Sequence, residues 1–450
     1  MPDPPRFGVV EGGARVASPG PPLELAALGT GLVLVCGLMA RLPSWRAELG
    51  AFQSLFFIAF AFYALALLRR GRAFGAHHVV LTVLVVAVAA RIALLPVRPT
   101  LSDDVYRYVW EGRVAAAGLD PWRHAPDDPA LAHLRDRAIH PHINHPGIAS
   151  VYPPLAVAGF ALVAWLSPTV MAFKLWVVLH DLALVVLLLV WARRHARDPA
   201  LAIAYAWNPL VLVEYTGTGH ADPTALVWLI AAFLLLRSRP AASALTAAAA
   251  VLVKLAPVAA LPALWMRWPW RARLLALAAI GAGLVWLAAA SQGPASGLGA
   301  WGFGWRNNEL LFAGLAALTG ETPARWVVLG ATMAAALAFA RRLEPTDAAR
   351  ATIKTGLLLS PVLHPWYLGW ALALEPLRAD ERGAWRMAPW ILLSLTAILS
   401  YGVLAPPGEG GAFHLPLAWR AVEYGAPAAL ALVLALARVP GGRGSRDRRD

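Results

Sequence analysis

Two adjacent carboxylates are the residues of this chain whose type and spacing most directly indicate chemistry. Asp103 and Asp104 follow Ser102 at the start of a stretch whose pattern predicts a helix running to about Ala117. Ser102 is a favourable N-cap, and the helix dipole favours an acid in the first turn, which alone explains one carboxylate here. Because one acid would suffice for that purpose, we predict that at least one of Asp103 and Asp104 has a functional role.

A polar stripe continues along the same predicted helix. Asp104, Arg107, Tyr108 and Glu111 recur at helical spacing and therefore face something other than lipid. A single arginine in such a place commonly pairs with an acid for structural reasons. Several arginines around two carboxylates instead suit an anionic substrate such as a phosphate.

The composition is that of a polytopic helical membrane protein. Of the 450 residues 59% are hydrophobic and only 14% are charged, and the mean hydropathy is +0.58. The unbroken Leu/Ala/Val runs exclude a transmembrane barrel, which requires short alternating segments. The net charge of +13 comes largely from arginines in short loops between apolar runs, which is the positive-inside pattern rather than a nucleic-acid-binding surface. The single cysteine, Cys36, excludes an intramolecular disulfide.

The apolar runs predict about a dozen crossings in one transmembrane domain, 22–437. They lie at 22–41, 50–68, 78–97, 169–192, 199–216, 223–236, 274–290, 323–340, 349–363, 366–377, 387–404 and 417–437. Two further runs, 153–166 and 310–319, are too short to span and are predicted as re-entrant or interfacial helices. Residues 241–266 hold Lys254 and Pro257 in their middle, which predicts a hairpin of two half-helices.

Arginine clusters orient these elements. They place a large outer loop at 98–150 and a second outer loop at 291–309, with both termini in the cytoplasm. The Pro/Gly-rich N-terminus, 1–21, is predicted to be disordered, and 438–450 forms a basic cytoplasmic tail. One consequence is that polar residues from several separate turns share the outer side. They are Asp103, Asp104, Arg107, Glu111, Arg113, His220, Asp222, Trp301, Trp305, Arg306, His364 and Tyr367.

Some of these residues have a structural explanation. Trp301 and Trp305 suit interfacial anchors as well as substrate platforms. His220 and Asp222 are two residues apart on a turn and supply too few ligands for a metal, so a hydrogen-bonded turn is the simpler interpretation. Polar groups inside apolar runs need partners and can stabilise the bundle; they are Lys174, His180, Asp181 and Lys254.

Several motifs, taken together, resemble the GT-C glycosyltransferases, most closely the bacterial branch that uses polyprenyl-phosphate mannose or a similar hexose. The motifs are Ser102-Asp103-Asp104-Val105-Tyr106-Arg107-Tyr108-Val109-Trp110-Glu111-Gly112-Arg113-Val114, Gly118-Leu119-Asp120-Pro121-Trp122, Tyr152-Pro153-Pro154-Leu155, Asn208-Pro209 with Gly219-His220-x-Asp222, Trp305-Arg306-Asn307-Asn308, and Ser360-Pro361-x-x-His364-Pro365-Trp366-Tyr367. They run from about residue 100 to 370 in family-like order. Gly-rich phosphate loops, zinc signatures and nucleophile elbows are absent from the sequence, which argues against a nucleotide-sugar donor.

The resemblance implies an all-α, GT-C-like bundle in the bacterial plasma membrane whose first outer loop carries catalysis. Asp103 or Asp104 would be the general base of an inverting hexosyl transfer, with mannose as the expected hexose, from a polyprenyl-phosphate donor to a lipid or glycan acceptor. No nucleic acid would be involved. Cations would stabilise the leaving phosphate, and Arg107, Arg306, Lys174 and His364 are candidates by position. Substrate-binding candidates overall are Arg107, Tyr108, Glu111, Arg113, Tyr152, Lys174, His220, Asp222, Trp305, Arg306, His364 and Tyr367. No cofactor is certain; the two adjacent acids leave a divalent metal open.

Two other functions remain open from the sequence. A secondary transporter with broken helices around a midplane site would be favoured if Lys254 and Asp181 met at mid-bilayer and the outer loop were mobile and empty. A lipid-carrier-dependent ligase or polymerase would instead depend on outer arginines and histidines more than on the aspartates.

Overall fold

The computed structural model describes residues 22–69, 75–292, 296–378, 384–404 and 417–437. Within these ranges the regular structure is helical and contains no strand, apart from an isolated bridge between Asn307 and Val362. The predicted all-α class is confirmed. The predicted disordered N-terminus, 1–21, and the predicted basic tail, 438–450, lie outside the described residues.

Six helices and one long loop make up the first part of the fold. They are α1 (Leu23–Ala40), α2 (Leu49–Arg69), α3 (Ala76–Leu94), α4 (Asp104–Ala116), α5 (Pro154–Leu166) and α6 (Val170–Arg194). The loop between α4 and α5 contains two 3-10 turns, Pro129–Leu134 and His140–His142. The helix predicted after Ser102 is present, but Asp103 rather than Ser102 is its N-cap residue. Ser102 Oγ instead accepts a hydrogen bond from the Asp104 N–H at 3.3 Å.

A broken segment stands where a single crossing was predicted at 199–216. It consists of the 3-10 turn Pro199–Ala202, α7 (Ile203–Ala206), α8 (Pro209–Val211) and the π-helical turn Leu212–Gly217. The interruption falls at Asn208, whose ψ of 122° is extended because the following proline excludes the helical region. The prediction of one continuous helix was therefore wrong.

The chain then forms four helices around a second interruption. They are α9 (Pro223–Leu235), α10 (Pro240–Val253), α11 (Leu261–Trp265) and α12 (Trp270–Ala290), with a 3-10 turn, Ala256–Ala260, before α11. Lys254 directly follows α10 in an extended conformation, with φ −151° and ψ 139°. The predicted division of 241–266 into two parts is present at this residue.

The remaining helices are α13 (Gly297–Gly304), α14 (Leu311–Thr319), α15 (Glu321–Arg342), α16 (Pro345–Leu359), α17 (Leu368–Leu374), α18 (Ala388–Thr396) and α19 (Leu417–Leu436). Four 3-10 turns accompany them: Pro365–Tyr367, Glu375–Leu377, Ala384–Met387 and Ala397–Leu404. The predicted second outer loop, 291–309, thus contains a helix of its own, α13.

Eight helices in the described ranges are long and apolar enough to cross a membrane, so the protein is a multi-pass membrane protein. They are Leu23–Ala40, Leu49–Arg69, Ala76–Leu94, Val170–Arg194, Trp270–Ala290, Glu321–Arg342, Trp385–Leu404 and Ala418–Leu436. Four shorter apolar helices are Pro154–Leu166, Pro223–Leu235, Pro240–Val253 and Ala256–Trp265. The predicted number of crossings, about a dozen, exceeds eight because the prediction counted short and interrupted segments as crossings.

Buried polar contacts inside the bundle fix its first helices. Arg91 of α3 contacts Asp181 of α6 at 2.7 Å, and both side chains are fully buried. The Tyr205 hydroxyl donates to the other oxygen of Asp181 at 2.7 Å. The Lys174 ammonium donates to the carbonyls of Leu95 and Val97, which follow α3 and would otherwise lack partners. Asp181 and Lys174 therefore stabilise the bundle.

The close approach of α4 to α5 depends on a glycine. A Cβ built on Gly112 of α4 would lie 2.4 Å from the carbonyl oxygen of Phe160 in α5. Only a residue without a side chain fits there, and this contact holds α4, which carries the two aspartates, against the bundle.

Candidate active site

Asp104 is the member of the aspartate pair that faces other functional groups. Its side chain is 25% exposed, and its Oδ2 lies 3.6 Å from Nε2 of His220. Its Oδ1 accepts a hydrogen bond from Asn144 Nδ2 at 2.8 Å. Asp103, by contrast, is exposed and lies in the electrostatic neighbourhood of Arg46. The geometry therefore separates two residues that the sequence left equivalent.

A second carboxylate approaches the opposite side of the His220 ring. Glu214, on the π-helical turn, places Oε2 3.2 Å from His220 Nδ1, and both side chains are almost completely buried. The Tyr401 hydroxyl donates to Glu214 Oε1 at 2.7 Å. We call Asp104, His220 and Glu214 the acid–histidine cluster. Sequence reasoning missed Glu214, although an acid inside an apolar run was a signal, since such a residue needs a partner.

An aromatic stack lies against this cluster. The rings of His220 and Trp366 are parallel, with centroids 3.8 Å apart, and His364 stacks on Trp366 at 4.2 Å. Asn307 Nδ2 lies 2.8 Å from His364 Nδ1. Desolvation lowers the pKa of His364 to about 4, so this residue is neutral near pH 7. His364 therefore does not supply the cation for which it was a candidate.

A buried ion pair forms the other half of the site. Lys254 Nζ lies 2.6 Å from Oδ1 of Asp222, which also accepts a hydrogen bond from Trp370 Nε1 at 2.6 Å. The Asp222 side chain is fully buried, whereas that of Lys254 is 31% exposed. Lys254 also lies over the Tyr367 ring, 5.0 Å from its centroid. The sequence indicated only that Lys254 interrupts a hairpin, and it gave no pairing with Asp222.

A cavity of about 190 Å³ lies beside the stack. Its lining residues are Leu101, Asn307, Asn308, His364, Pro365, Trp366, Ser400, Tyr401, Val403 and Leu404. Asp104, His220, Lys254 and Asp222 all lie near enough to His364, which lines this cavity, to affect its protonation. The acid–histidine cluster and the Asp222–Lys254 pair thus belong to one site, assembled from the 98–150 loop and three later parts of the chain.

Three of the predicted substrate-binding residues hold the 98–150 loop together instead. Arg107 contacts Glu111 at 2.8 Å and donates to the carbonyls of Asn144 and His145. Glu111 is buried, accepts a hydrogen bond from Ser150, and has a pKa raised by that burial. In the same loop, Arg113 contacts Asp136 at 2.7 Å. Their polar groups are occupied inside the loop, so we assign them a structural role.

Five more of the predicted residues are also engaged away from the acid–histidine cluster. Tyr108 and Tyr152 pack on the Phe160 ring, with centroids 5.0 and 5.4 Å from it. Arg306 bonds to Glu309 and Glu321, and those hydrogen bonds raise its pKa. The Trp305 ring lies 5.2 Å from that of His145. Lys174, described above, is only 1% exposed and donates to backbone carbonyls.

A divalent metal does not fit these groups. In the described part of the chain, no three or more His, Cys, Asp or Glu side chains are grouped so that they could hold an ion. Asp104 and Glu214 approach different nitrogens of the His220 ring, on opposite sides, and so cannot share one ion with it.

A comparison with known families gives one match. Residues 23–270 match the family described as alpha-(1->6)-mannopyranosyltransferase, N-terminal domain (MptA_B family). This range is more than half of the chain and contains the acid–histidine cluster and the Asp222–Lys254 pair; the Trp366 stack lies beyond it. No curated protein and no solved structure matches the chain.

Proposed function

The chain belongs to the alpha-(1->6)-mannopyranosyltransferase family and is a membrane mannosyltransferase; from this we propose that its donor is a polyprenyl-phosphate mannose. A donor carried in the bilayer suits a protein made of apolar helices that has no Gly-rich phosphate loop in its sequence. The arginine pattern favours a bacterial plasma-membrane protein with cytoplasmic termini and an active site on the extracytoplasmic face.

The position of Asp104 carries the proposal for the mechanism. Its carboxylate is partly exposed, so a substrate hydroxyl can reach it, and Asn144 and His220 hold it in place. Asp104 removes the proton from the acceptor hydroxyl as that oxygen attacks the anomeric carbon. The carbon–oxygen bond to the phosphate breaks, and its electron pair stays with the polyprenyl phosphate. The displacement inverts the configuration at the anomeric carbon.

The family description adds a constraint on both substrates. An inverting reaction that forms an alpha linkage requires a donor of beta configuration. A (1->6) linkage requires that the attacking oxygen be the hydroxyl on carbon 6 of a sugar. We therefore propose a β-linked mannosyl phosphate as the donor and a lipid or glycan that ends in a hexose as the acceptor.

Lys254 is the cation we assign to the donor phosphate. Arg107, Arg306 and Lys174 are engaged by carboxylates or carbonyls, and His364 is neutral. The ammonium of Lys254 is partly exposed while Asp222 fixes its position. A compact ammonium is suited to the charge that develops on a departing phosphate.

The contacts do not favour either alternative function. For a transporter, Lys254 and Asp181 were expected to meet, but Lys254 contacts Asp222 and Asp181 contacts Arg91. The 98–150 loop is tied together by internal hydrogen bonds, among them those from Arg107 to the carbonyls of Asn144 and His145. A ligase or polymerase would depend on outer arginines and histidines more than on the aspartates, and two of those arginines, Arg107 and Arg113, are paired with acids.

The test compares the two aspartates in membranes supplied with radiolabelled polyprenyl-phosphate mannose. Asp104→Asn is expected to lower label transfer by about 10²-fold or more, because it removes the base. Asp103→Asn is the matched control and is expected to stay within about threefold of wild type, because its carboxylate does not face the cluster. Accumulation of both variants is measured by immunoblot. Full transfer by Asp104→Asn, with normal accumulation, would overturn the assignment.

A further inference from the structure

Glu214 is a buried carboxylate for which the proposed displacement has no direct use. Its side chain lies in the core of a membrane protein, on a π-helical turn, a feature that is frequent at functional sites. One of its oxygens accepts from Tyr401, while the other, Oε2, has no hydrogen-bond partner and lies 3.2 Å from the His220 ring. An ionisable group in such a place is costly and normally has a function that involves a named partner. Here that partner is His220.

The hydrogen-bond network assigns the tautomer of His220. Three oxygens surround Nδ1: the Glu214 carbonyl at 3.2 Å, the Glu214 carboxylate at 3.2 Å and the Thr218 hydroxyl at 2.7 Å. The Thr218 hydroxyl already gives its hydrogen to the Glu214 carbonyl, so it can only accept from the ring. Nδ1 therefore carries the proton, and the lone pair of Nε2 is an acceptor, with the Ser102 hydroxyl within hydrogen-bond distance.

That lone pair points to the catalytic side. His220 Nε2 lies 3.1 Å from Ser102 Oγ and 3.6 Å from Asp104 Oδ2. The His220 ring cannot easily rotate, because the Trp366 ring stacks on its face. The backbone N–H of His220 also holds the turn in place by donating to the backbone carbonyl of Glu214 at 3.0 Å. A proton acceptor is thus held beside Asp104, with a buried negative charge behind it.

We infer that His220 takes over the proton that Asp104 removes from the acceptor hydroxyl, and that Glu214 holds His220 in the form that can receive it. Both are positioning residues, since they act on the substrate through Asp104. The inference rests on the proposed function, because it needs Asp104 to be the base.

The proton balance closes without a further reagent. The acceptor hydroxyl loses its proton to Asp104 as the new glycosidic bond forms. The proton passes to His220 Nε2, which restores the Asp104 carboxylate and leaves an imidazolium between two carboxylates, where it is stabilised. The ring becomes neutral again when the proton returns through Asp104 to water, before the next acceptor binds.

Several charged or titratable groups act on His220 or lie beside its turn, and a pH effect must be judged against all of them. They are Asp104, Glu214, Asp222, Lys254, Lys174, His364 and Tyr401. Of these, only Asp104 and Glu214 bring a carboxylate to the ring nitrogens of His220 in the described residues.

The first experiment measures the pH profile of mannosyl transfer by Glu214→Gln. This change keeps an oxygen that can accept from His220 Nδ1 but removes the negative charge. We expect kcat to fall at least about tenfold, with little change in the KM for the donor. Because the imidazolium loses its stabilising charge, the acidic limb of the profile moves to lower pH. Unfolding temperature in detergent is measured in parallel.

Glu111→Gln is the matched control, since it changes another buried glutamate that lies within the 98–150 loop. It is expected to leave the acidic limb at the wild-type pH. A second variant, His220→Gln, places an amide near Nε2 that cannot accept a proton, and it is expected to lose kcat to a similar extent. If Glu214→Gln does not accumulate, His220→Gln alone tests whether His220 receives the proton.

The outcomes separate this inference from the proposed function. If wild type transfers mannose, Asp104→Asn does not, and Glu214→Gln or His220→Gln keeps both the wild-type kcat and the wild-type profile, the relay is wrong and the base assignment stands. If wild type transfers no mannose, or Asp104→Asn transfers it normally, the proposed function itself fails.

Discussion

Replacing Lys254 by methionine tests the Asp222–Lys254 pair both as a structural contact and as a phosphate site. Methionine keeps the length of the side chain but removes the ammonium that lies 2.6 Å from Asp222. The Asp222 carboxylate then remains fully buried, with the Trp370 N–H as its only donor among the described residues. The variant should lose stability and activity for different reasons, and these can be measured separately.

The size of the stability loss follows from the burial of the two partners. Breaking a fully buried ion pair by removing one partner costs about 3–5 kcal/mol. Lys254 is 31% exposed, so solvent already weakens its attraction, and Trp370 continues to bind Asp222. We therefore expect a decrease of about 2–3 kcal/mol in the free energy of unfolding. The double variant Asp222→Asn, Lys254→Met should recover most of this, since asparagine is neutral and can still accept from Trp370.

Activity should respond differently to the same two changes. A hydrogen bond to a charged phosphate contributes about 1.5–3 kcal/mol, so Lys254→Met should lower kcat/KM for the donor by about 10- to 100-fold. The double variant should remain equally impaired. The measurements are unfolding in mixed detergent and transfer at varied donor concentration. Wild-type stability of Lys254→Met would refute the argument about the pair, and full transfer by the stable double variant would refute the phosphate site.

Two further predictions concern pH and packing. The pKa of His364 is lowered to about 4 from 6.5, so the folded protein binds fewer protons than the unfolded chain between these values. The free energy of unfolding should thus fall by about 2.5 kcal/mol as pH drops from 6.5 to 4. His364→Asn, compared with wild type by thermal unfolding at both pH values, should lack this part of the decrease. Gly112→Ala should cost about 1–3 kcal/mol of stability in the same assay, because its Cβ meets the Phe160 carbonyl. Gly37→Ala in α1, where no atom lies within 4 Å of the new Cβ, should cost nothing; equal effects at both glycines would contradict the packing argument.

The parts of the structure that depend on local pattern were predictable. Helix α4 follows from its capping region and its polar spacing, and the division at Lys254 follows from a charge and a proline inside an apolar run. The interruption at Asn208 was also encoded, because the residue before a proline avoids the helical region. The hydropathy of 199–216 does not reveal this interruption, because the apolar character of the run continues across Asn208.

The partners of the polar side chains were not predictable in the same way. Helical spacing shows that Arg107 and Asp104 share a stripe, but it does not show which group the stripe meets. Arg107 in fact contacts Glu111, while Asp104 meets His220 from a distant turn. Contacts between residues far apart in the chain depend on how the helices pack, and local spacing does not show that packing.

The fully buried contact between Arg91 and Asp181 constrains how the chain enters the bilayer. An arginine or an aspartate at the centre of a membrane helix disfavours insertion by about 2.5–3.5 kcal/mol on scales measured at the translocation machinery. α3 carries one of these charges and α6 carries the other, with the whole 98–150 loop between them. Asp181 lies near the middle of α6 and Arg91 lies in the last turn of α3, so neither buried charge has its partner until both helices have been made. The lowest-energy state of α3 in the bundle therefore depends on α6.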